Sequence, residues 1–481
     1  MSPTNLMTLA QLKQLLPHAQ LDNVADEHLE IARVISDSRQ VQAGDLFIAL
    51  KGDKFDAHDF LKEVQAKGAV AALVSSKEQL PNELPGIYVT NTLQALQDLA
   101  KAWRLVCGKQ HLKHVAVVTG SNGKTTVKGM IASIFNAAVG DAQALATQGN
   151  FNNDIGLPLT LLRLKQQHQL AVIELGMNHP GETKQLADIA QANIALINNA
   201  QREHQEFMVN VEAVAKEHAL AIAALPTHGV AVFPADSEYT NYWTSVAGSR
   251  KVINFAWDHA KATATATATV TGSWKQDAVN QIDITTPQGN LVVTLNILGE
   301  HNAKNALAAT AVALAAGLSN EVIQRGLEAF QPVTGRMQQH QLNQNTTVID
   351  DSYNANPDSV RAAIDVLSST KTPAWLVLGD MGEVGEKGPE FHSEVGAYAG
   401  EKGIQKLFAT GELSKSAVSA YLTKATVGGS AKHFDQMSDL CADVKTALTQ
   451  RASNEATTVL VKGSRFMRME QVVKSLTEEI H

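Results

Sequence analysis

Cysteine is scarce: this chain of 481 residues contains only Cys107 and Cys441, which lie far apart. Two isolated cysteines do not form the paired spacing of a zinc site or of a redox-active dithiol. We therefore expect both thiols to be reduced and structural, as in a cytoplasmic protein. An excess of positive charge is also absent, since the formal net charge is −8. This charge argues against general nucleic-acid binding but does not exclude a local basic pocket.

Long apolar runs are missing as well. The longest stretch, residues 306–318, contains Thr310 and Gly317 and is too short to span a bilayer. Residues 1–20 lack the charged-then-apolar pattern of a secretory signal. We therefore expect a cytoplasmic protein without membrane insertion. The length predicts two or three domains, and the hydrophobic share of 44% is ordinary for a globular protein.

The stretch HVAVVTGSNGKTT, residues 114–126, predicts a strand, a glycine-containing turn and a helix that begins near Thr125. Backbone N–H groups at such a helix start favour a bound phosphate, and Lys124 adds a positive charge. The Thr125 hydroxyl is typical of a Mg²⁺ ligand. Gly120 and Gly123 bracket only two residues, fewer than in the common P-loop. The alternative is a plain turn, but the glycines, the lysine and the threonines at this junction favour phosphate binding.

Strands predicted at residues 170–175, 194–198 and 229–233 alternate with helices and indicate a parallel, doubly wound sheet. Ligands bind such sheets beyond the carboxyl ends of the strands. The polar residues that follow these strand ends are Glu174, Asn198, Asn199, His204 and Asp236. A glutamate at a strand end is often a capping or salt-bridge residue. The neighbouring phosphate turn instead favours a role in binding Mg²⁺ or substrate.

Three further segments are notable. The first 90 residues predict a small α/β unit, whose turns carry Ser38, Arg39, Lys51, Asp56 and His58. These residues could bind a phosphorylated or sugar ligand, although residue types alone favour a solvated turn with a local salt bridge. The loop with Asn150, Asn152 and Asn153 suits hydrogen bonding to a polar ligand or a rigid turn. The Ala-Thr repeat at residues 262–269 predicts an exposed strand of a β-rich insertion without assigned chemistry.

The last third of the chain predicts a second doubly wound unit without a P-loop. Its strands are expected at residues 347–350, 375–378, 406–409 and 458–462, each running into a polar or glycine-containing turn. The two α/β units join near residues 332–335. Such a junction suggests a cleft that closes on ligands.

Several motifs, in order, resemble those of the Mur ligases and the folylpolyglutamate synthetases. They are TGSNGKTT at residues 119–126, HNAKN at 301–305, GRM at 335–337, DDSYNANP at 350–357, LGDM at 378–381 and KGSR at 462–465. Near the N-terminus, DSR at residues 37–39, FIALKG at 47–52 and FDAH at 55–58 resemble the UDP-binding domain of Mur ligases. The resemblance spans nearly the whole chain.

The resemblance implies an α/β fold of three domains. These are a UDP-substrate-binding domain at residues 1–90, a central P-loop ATP-binding domain at 91–332 and a C-terminal Rossmann-like domain at 333–481. It implies an ATP-dependent ligase that joins D-alanyl-D-alanine to a UDP-N-acetylmuramoyl-tripeptide during peptidoglycan synthesis. An acyl phosphate and a tetrahedral intermediate precede release of ADP and phosphate. Two Mg²⁺ ions and a monomeric protein are also expected.

The resemblance also implies roles for individual residues. ATP would be bound by Gly120, Ser121, Asn122, Gly123, Lys124, Thr125, Thr126, Asn302, Arg336 and Asp351. Asn302, Arg336 and Asp351 would hold adenine, phosphate and ribose, with Asp350 as the alternative for ribose. Mg²⁺ would be held by Thr125, Glu174 and His204, and the UDP-peptide by Ser38, Arg39, Asn150, Asn152 and Asn153. The expected catalytic residues are Lys124, Glu174, His204 and Lys216.

Lys216 departs from the family pattern. Many Mur ligases carry, after the histidine, a carbamylated lysine that holds the second Mg²⁺ and is followed by a small residue and Glu. Here Lys216 is followed by Glu217 and His218. The sequence leaves two alternatives open: Lys216 is carbamylated, or it lies on a solvated helix face.

Other functions fit the sequence less well. A folate-specific ligase would not need the N-terminal domain, and a ligase for a single charged amino acid would be expected to carry its own C-terminal specificity motif. A nucleotide switch or transport ATPase would show an acidic Walker-B run, which is not recognisable here. A non-catalytic relative would be expected to lack Lys124, Glu174 or His204.

Overall fold

A computed structural model describes residues 5–258, 268–274, 280–370, 372–451 and 455–478. The predicted α/β class is confirmed: three main sheets follow one another along the chain. The Ala-Thr repeat predicted as a strand lies outside the described residues, except for its last two positions. None of the helices in the described parts of the chain is long and apolar enough to cross a membrane.

The N-terminal part is built on a small sheet with the strand order β2-β9-β8-β5-β4. Its strands are parallel, except that β2 runs antiparallel to β9. The elements are β1 (Met7–Thr8), α1 (Leu9–Leu15), β2 (Gln20–Asp22), β3 (Glu30–Ile31), β4 (Arg33–Ile35), β5 (Asp45–Ile48), β6 (Lys51–Gly52), β7 (Phe55–Asp56), α2 (Leu61–Ala66), β8 (Ala71–Val74) and β9 (Gly86–Tyr88).

The central part contains the long sheet β11-β12-β10-β13-β14-β15-β16-β17-β18, which is parallel from β11 to β16 and antiparallel beyond. Its elements are α3 (Thr92–Gln110), β10 (His114–Thr119), α4 (Lys124–Val139), β11 (Ala144–Ala146), α5 (Gly156–Leu161), β12 (Leu170–Glu174), α6 (Glu182–Ala190), β13 (Ile194–Ile197), α7 (Val211–Ala223), β14 (Val230–Pro234), α8 (Thr240–Ala247), β15 (Lys251–Trp257), β16 (Val270–Trp274), β17 (Gln281–Thr286), β18 (Gly289–Thr294), α9 (Glu300–Ala315) and α10 (Asn320–Ala329).

The C-terminal part is built on the sheet β19-β20-β24-β21-β22-β23, in which only β19 is antiparallel to its neighbour. Its elements are β19 (Gln338–Asn343), β20 (Thr346–Asp351), α11 (Pro357–Ser369), β21 (Ala374–Gly379), α12 (Gly388–Glu401), β22 (Lys406–Thr410), α13 (Ser414–Lys424), β23 (Ser430–Phe434), α14 (Met437–Gln450), β24 (Thr457–Lys462) and α15 (Glu470–Thr477). Short 3₁₀ helices cover Ser38–Gln40, Ala57–Phe60, Asp141–Gln143, Gly385–Lys387 and Arg465–Met467.

Strand β10 occupies the middle of the parallel sheet because its β-branched side chains are buried on both faces. From β10 the chain moves to β11 and β12 on one side and then crosses to β13 on the other. The strand order therefore reverses at β10, and a crevice forms at the carboxyl ends of these strands. The register places Val118 level with Glu174, and Thr119 level with Ile197.

One apolar core joins the central and C-terminal parts. Helix α9 contributes small buried residues such as Ala306 and Ala309, and the same core includes Val360 and Ile364 of α11. Alanine favours the helix and also allows close packing of its neighbours. This shared core brings the ends of strands β10 and β20 to opposite sides of one cleft.

Candidate functional site

A cavity of about 1110 Å³ lies between the P-loop side of the central sheet and the first turns of the C-terminal part. The structure brings most of the predicted site residues to this cavity. They are Ser121, Asn122, Gly123, Lys124, Thr125, Thr126, Asn150, Asn152, Asn153, Glu174, His204, Asn302, Arg336 and Asp351. Gly120 lies at the start of the same turn.

The turn needs glycine at both ends. Gly120 and Gly123 have φ angles of +136° and +78°, which side chains rarely tolerate. A Cβ atom on Gly123 would lie 2.6 Å from Asn305 Oδ1 and 2.8 Å from Asn198 Nδ2. Helix α4 begins directly after Gly123, so its first N–H groups face the cavity region that a phosphate would occupy.

The Lys124 ammonium folds back over this turn. Its Nζ donates to the carbonyl groups of Gly120 (2.5 Å) and Ser121 (3.2 Å) and lies 3.2 Å from Glu203 Oε2. The ammonium is therefore held at the mouth of the turn, next to the N-terminus of α4. Both features favour a bound anion.

Glu174 has one carboxylate oxygen without a hydrogen-bond partner. Its Oε1 accepts from Thr125 Oγ1 (3.2 Å) and from Asn152 Nδ2 (2.8 Å), whereas the buried Oε2 accepts no hydrogen bond. Lys128 Nζ lies 3.9 Å from Oε2, and burial lowers the pKa of Lys128 while Glu174 raises it. A buried carboxylate oxygen without a donor is costly unless a ligand compensates it.

Glu174 and Thr125 together offer oxygen atoms that suit a Mg²⁺ ion. Among the described residues, no three His, Cys, Asp or Glu side chains are grouped as a ready-made metal site. Mg²⁺ usually keeps several waters and uses one or two carboxylates together with substrate phosphates. A single carboxylate and a hydroxyl beside a phosphate turn therefore suit this ion, with Glu174 Oε2 as the free ligand atom.

Glu203 is a functional candidate that the sequence analysis misses. Its buried carboxylate lies 3.0 Å from His218 Nε2, 3.2 Å from Lys124 Nζ and 3.6 Å from His204 Nε2. Burial raises the pKa of Glu203, but Lys124, His218 and His204 outweigh it and hold the pKa at about 2. His218 in turn is fixed by Thr119, whose Oγ1 lies 2.9 Å from His218 Nδ1. The only signal in the sequence is an acidic residue directly before His204 in the segment after β13.

A chain of asparagine side chains connects the P-loop to α9. Asn198 donates to the Asn122 carbonyl and to Asn305 Oδ1, both at 2.8 Å, and Asn305 donates to Asn302 Oδ1 at 3.1 Å. Asn302 also donates to His301 Nε2 (3.0 Å). Burial holds the pKa of His301 at about 4. This network fixes Asn302 and a neutral His301 at the cavity wall.

Arg336 faces the cavity from the segment that joins the central and C-terminal parts. Its guanidinium lies over the ring of Tyr353, 4.3 Å from the ring centroid, and its buried Nε has no partner. A stacked guanidinium with a free N–H group is suited to a phosphate or carboxylate.

The structure separates the two aspartates that the sequence leaves ambiguous. Asp350 is buried and accepts from the backbone N–H and the hydroxyl of Ser352. Asp351 lines the cavity and pairs with Lys462 at 2.5 Å. Asp351 is therefore the aspartate that a ligand in the cavity can reach.

Arg202 connects the two walls of the cleft and is a second residue that the sequence analysis misses. Its guanidinium donates to Asp358 Oδ1 (2.6 Å) and, through two nitrogens, to Glu394 (2.6 and 3.0 Å). Both carboxylates raise the pKa of Arg202 further above its ordinary range. Asn122 of the P-loop also accepts from Asn356 Nδ2 at 2.8 Å. These contacts hold the C-terminal part against the P-loop.

Replacing Arg202 with Ala is expected to shift the protein towards an open form. Charge-assisted hydrogen bonds of this kind contribute about 1.5–3 kcal/mol, or roughly 10- to 150-fold in the closure equilibrium. Small-angle scattering of the ligand-free variant should therefore show a larger radius of gyration. Arg361→Ala is the control, because Arg361 contacts the same Glu394 from within the C-terminal part (3.2 Å). Unchanged scattering for Arg202→Ala would refute the role of this contact.

Two predicted substrate residues lie away from the cavity. Arg39 is exposed and pairs with Asp37 at 2.8 Å, and the Ser38 carbonyl accepts from Lys67. Neither Ser38 nor Arg39 lines the cavity. The turn that carries Ser38 and Arg39 is therefore solvent-accessible and is stabilised by a local salt bridge.

The structure also does not bring Lys216 to the cavity, so its expected catalytic role needs correction. Its half-exposed ammonium pairs with Glu212 one turn earlier on α7, at 2.6 Å. This ion pair raises the pKa of Lys216, whereas a lysine must be neutral to react with carbon dioxide. The next residue, Glu217, accepts from the backbone N–H groups of Gly181 and Thr183 and is committed to the start of α6.

Comparisons with known proteins cover most of the chain. Family models match in three segments: "Mur ligase family, catalytic domain" at residues 30–104, "Mur ligase middle domain" at 118–313 and "Mur ligase, glutamate ligase domain" at 335–465. The three matches run in the same order as the three main sheets.

Individual relatives match over nearly their whole length. The UDP-N-acetylmuramoyl-tripeptide–D-alanyl-D-alanine ligase of Escherichia coli is 38% identical and covers 98% of both chains. The ligase of the same name from Haemophilus influenzae is 37% identical over 98% of this chain and 99% of its own. A crystal structure of MurF from Acinetobacter baumannii superposes with a TM-score of 0.87, at 33% identity over 98% of this chain and 99% of that one.

Proposed function

Because this chain belongs to the Mur ligase family, we propose that it is the ATP-dependent ligase that joins D-alanyl-D-alanine to a UDP-N-acetylmuramoyl-tripeptide. The product is the UDP-linked pentapeptide, a precursor of peptidoglycan. The full-length relatives, whose names state this reaction, support the choice of substrates. The observation that carries the chemistry is the P-loop with Lys124 and Thr125 beside the free Oε2 of Glu174.

The first step of the proposed reaction activates the tripeptide carboxylate. A carboxylate is a poor electrophile, so one of its oxygens attacks the γ-phosphorus of ATP, the bond to the β-phosphate oxygen breaks, and ADP leaves. Lys124 and the N–H groups at the start of α4 stabilise the charge of the transferring phosphoryl group. Mg²⁺, held by Thr125 and Glu174 Oε2, would supply further positive charge at the phosphate oxygens.

The second step forms the amide bond. The amine of D-alanyl-D-alanine attacks the carbonyl carbon of the acyl phosphate and gives a tetrahedral intermediate. The C–O bond to phosphate then breaks, and the amine loses a proton. The contacts of Arg202 and Asn122 with the C-terminal part support closure of the cleft during these steps, which keeps water from hydrolysing the acyl phosphate.

Roles for the remaining residues complete the proposal. Residues 120–126 bind the triphosphate, Asn302 contacts adenine, Arg336 contacts phosphate and Asp351 the ribose. His204 contributes to a second Mg²⁺ site. Asn150, Asn152 and Asn153 contact the peptide part of the substrate, since they line the cavity beside Glu174. Ser38 and Arg39 bind its UDP part, away from the reacting carboxylate.

The organisation of the chain is part of the proposal. The UDP-binding domain is assigned to residues 1–90, the ATP-binding domain to 91–332 and the C-terminal Rossmann-like domain to 333–481. A monomeric, cytoplasmic protein is also part of the proposal.

Formation of ADP tests the proposal. With Mg²⁺ and ATP, ADP should form only when the UDP-tripeptide and D-alanyl-D-alanine are both present, and the pentapeptide product should appear in equal amount by mass spectrometry. Free L-alanine, D-glutamate or a diamino acid should not replace the dipeptide. If one of them does so as well as D-alanyl-D-alanine, the assignment of the amine substrate is wrong.

A further inference from the structure

The face of α7 that looks towards the P-loop carries a histidine rather than a lysine. Residues two apart on a helix lie about 200° apart around its axis. Lys216 is therefore on the solvent side, whereas His218 is fully buried against Thr119 at the end of β10. A carbamate on Lys216 would lie on the solvent side of α7. It could reach the buried position of His218 only if the helix rotated about its axis.

A carboxylate already occupies the space between His218 and the cavity. Glu203 directs Oε1 to His218 Nε2 (3.0 Å) and Oε2 to the cavity side, near Lys124 and His204. The side chain is about 95% buried, yet Glu203 lines the cavity. One oxygen is thus fixed by the protein, and the other is presented to a ligand.

We propose that Glu203 supplies the carboxylate ligand of the second Mg²⁺ and that His218 is the positioning residue that fixes it. The inference rests on the proposed function, since it concerns the ion that would bind with the triphosphate. A carboxylate and a lysine carbamate offer the same pair of oxygens and the same charge. Glu203 therefore replaces the modified lysine, and this chain needs no carbon dioxide for activity.

Lys124 does not compete with this role. In the ligand-free structure its ammonium lies 3.2 Å from Glu203 Oε2 and balances the buried charge. A buried carboxylate left alone would be strongly unfavourable. When a triphosphate binds, its negative charge attracts Lys124 and also a cation, and the cation takes the place of Lys124 beside Glu203. Glu203 therefore has a positively charged neighbour both with and without the triphosphate.

Cation counting tests the proposal independently of the ligase reaction. Mn²⁺ serves as a probe for Mg²⁺, because free Mn²⁺ is quantified by electron paramagnetic resonance. The full chain is titrated in the presence of a non-hydrolysable ATP analogue and without peptide substrates. We expect about two Mn²⁺ ions per wild-type complex and about one for Glu203→Gln, which keeps the shape but removes the charge. Glu203→Asp keeps the charge, but its shorter side chain moves the carboxylate away from the cation. The second ion should therefore bind at least about 10-fold more weakly to this variant.

Lys216→Ala is the matched comparison. It should retain both ions, and its turnover should not change when bicarbonate is removed or added. Two ions in Glu203→Gln at wild-type affinity, a single ion in the wild type, or loss of one ion in Lys216→Ala would each overturn the proposal. Circular dichroism verifies that each variant is folded. Because no peptide substrate is present, a wrong choice of substrates leaves these outcomes unchanged and appears only in the ADP assay.

Discussion

Lys124→Ala is expected to reduce turnover by about 1,000-fold or more, because the variant loses the positive charge that faces the transferring phosphoryl group. The loss should appear mainly in kcat, since the N–H groups of the turn and of α4 still bind the triphosphate. The fold should persist, because Glu203 keeps His218 as its partner. Steady-state kinetics and circular dichroism together measure both parts of this result.

Lys216→Ala is the control for charge removal on the same domain. Its ammonium is half exposed and pairs with Glu212 on its own helix, so we expect wild-type kinetics. If Lys124→Ala keeps more than about a tenth of wild-type turnover, electrostatic stabilisation at the P-loop is not the main source of catalysis.

Glu174→Gln is expected to lower turnover by about 100-fold or more, because the free Oε2 of Glu174 is the proposed anionic ligand of Mg²⁺. The same substitution should change the melting temperature of the ligand-free protein little, because the gain from burying a neutral amide offsets the loss of the negative charge near the buried Lys128. An unpartnered carboxylate oxygen in the interior is unfavourable, and an amide of the same shape costs less to bury. Activity and stability should thus change in different ways.

The melting temperature with Mg²⁺ and an ATP analogue provides the second half of this test. Mg²⁺ and the ATP analogue should raise the melting temperature of the wild-type protein, and that of Glu174→Gln much less. At a fixed concentration, a ligand that binds more weakly stabilises the folded state less. Asp236→Asn is a suitable control, since Asp236 is also an acid beyond a strand end but is already paired with Lys304 at 2.7 Å. Equal stabilisation of wild type and Glu174→Gln would remove Glu174 from the Mg²⁺ site.

The sequence predicts the P-loop side of the site well, because its geometry is local. A buried strand, two glycines and a helix start fix the positions of Lys124 and Thr125 within a few residues. The parallel sheet then places Glu174 beside them, since neighbouring strands end at the same edge. Local chemistry and sheet topology are both readable from the pattern of residues.

The sequence does not reveal how charges pair across the cleft. Arg202 meets Asp358 and Glu394, which lie more than 150 positions later in the chain. The role of Lys216 depended on the rotation of α7, and a helix with alanine on several faces does not fix that rotation in the sequence. Glu203 became a candidate only when its burial beside Lys124 and His218 was visible.

Strand β19 shows that part of the fold also cannot be predicted from the local sequence. The sequence does not predict β19 because Gln338–Asn343 is almost entirely polar. It forms because β20 offers an antiparallel edge, and its side chains alternate between half-buried and exposed. Long-range pairing, rather than local propensity, determines this element.

The most direct test of the account follows the fate of one oxygen atom. The tripeptide carboxylate of the UDP-substrate is labelled with heavy oxygen, and the phosphate released with ADP is analysed by mass spectrometry. If the cleft forms an acyl phosphate, each phosphate carries one labelled oxygen from the carboxylate, and the new amide keeps the other. Unlabelled phosphate would show that water attacks ATP directly, and it would contradict the proposal that this cleft activates a carboxylate for ligation.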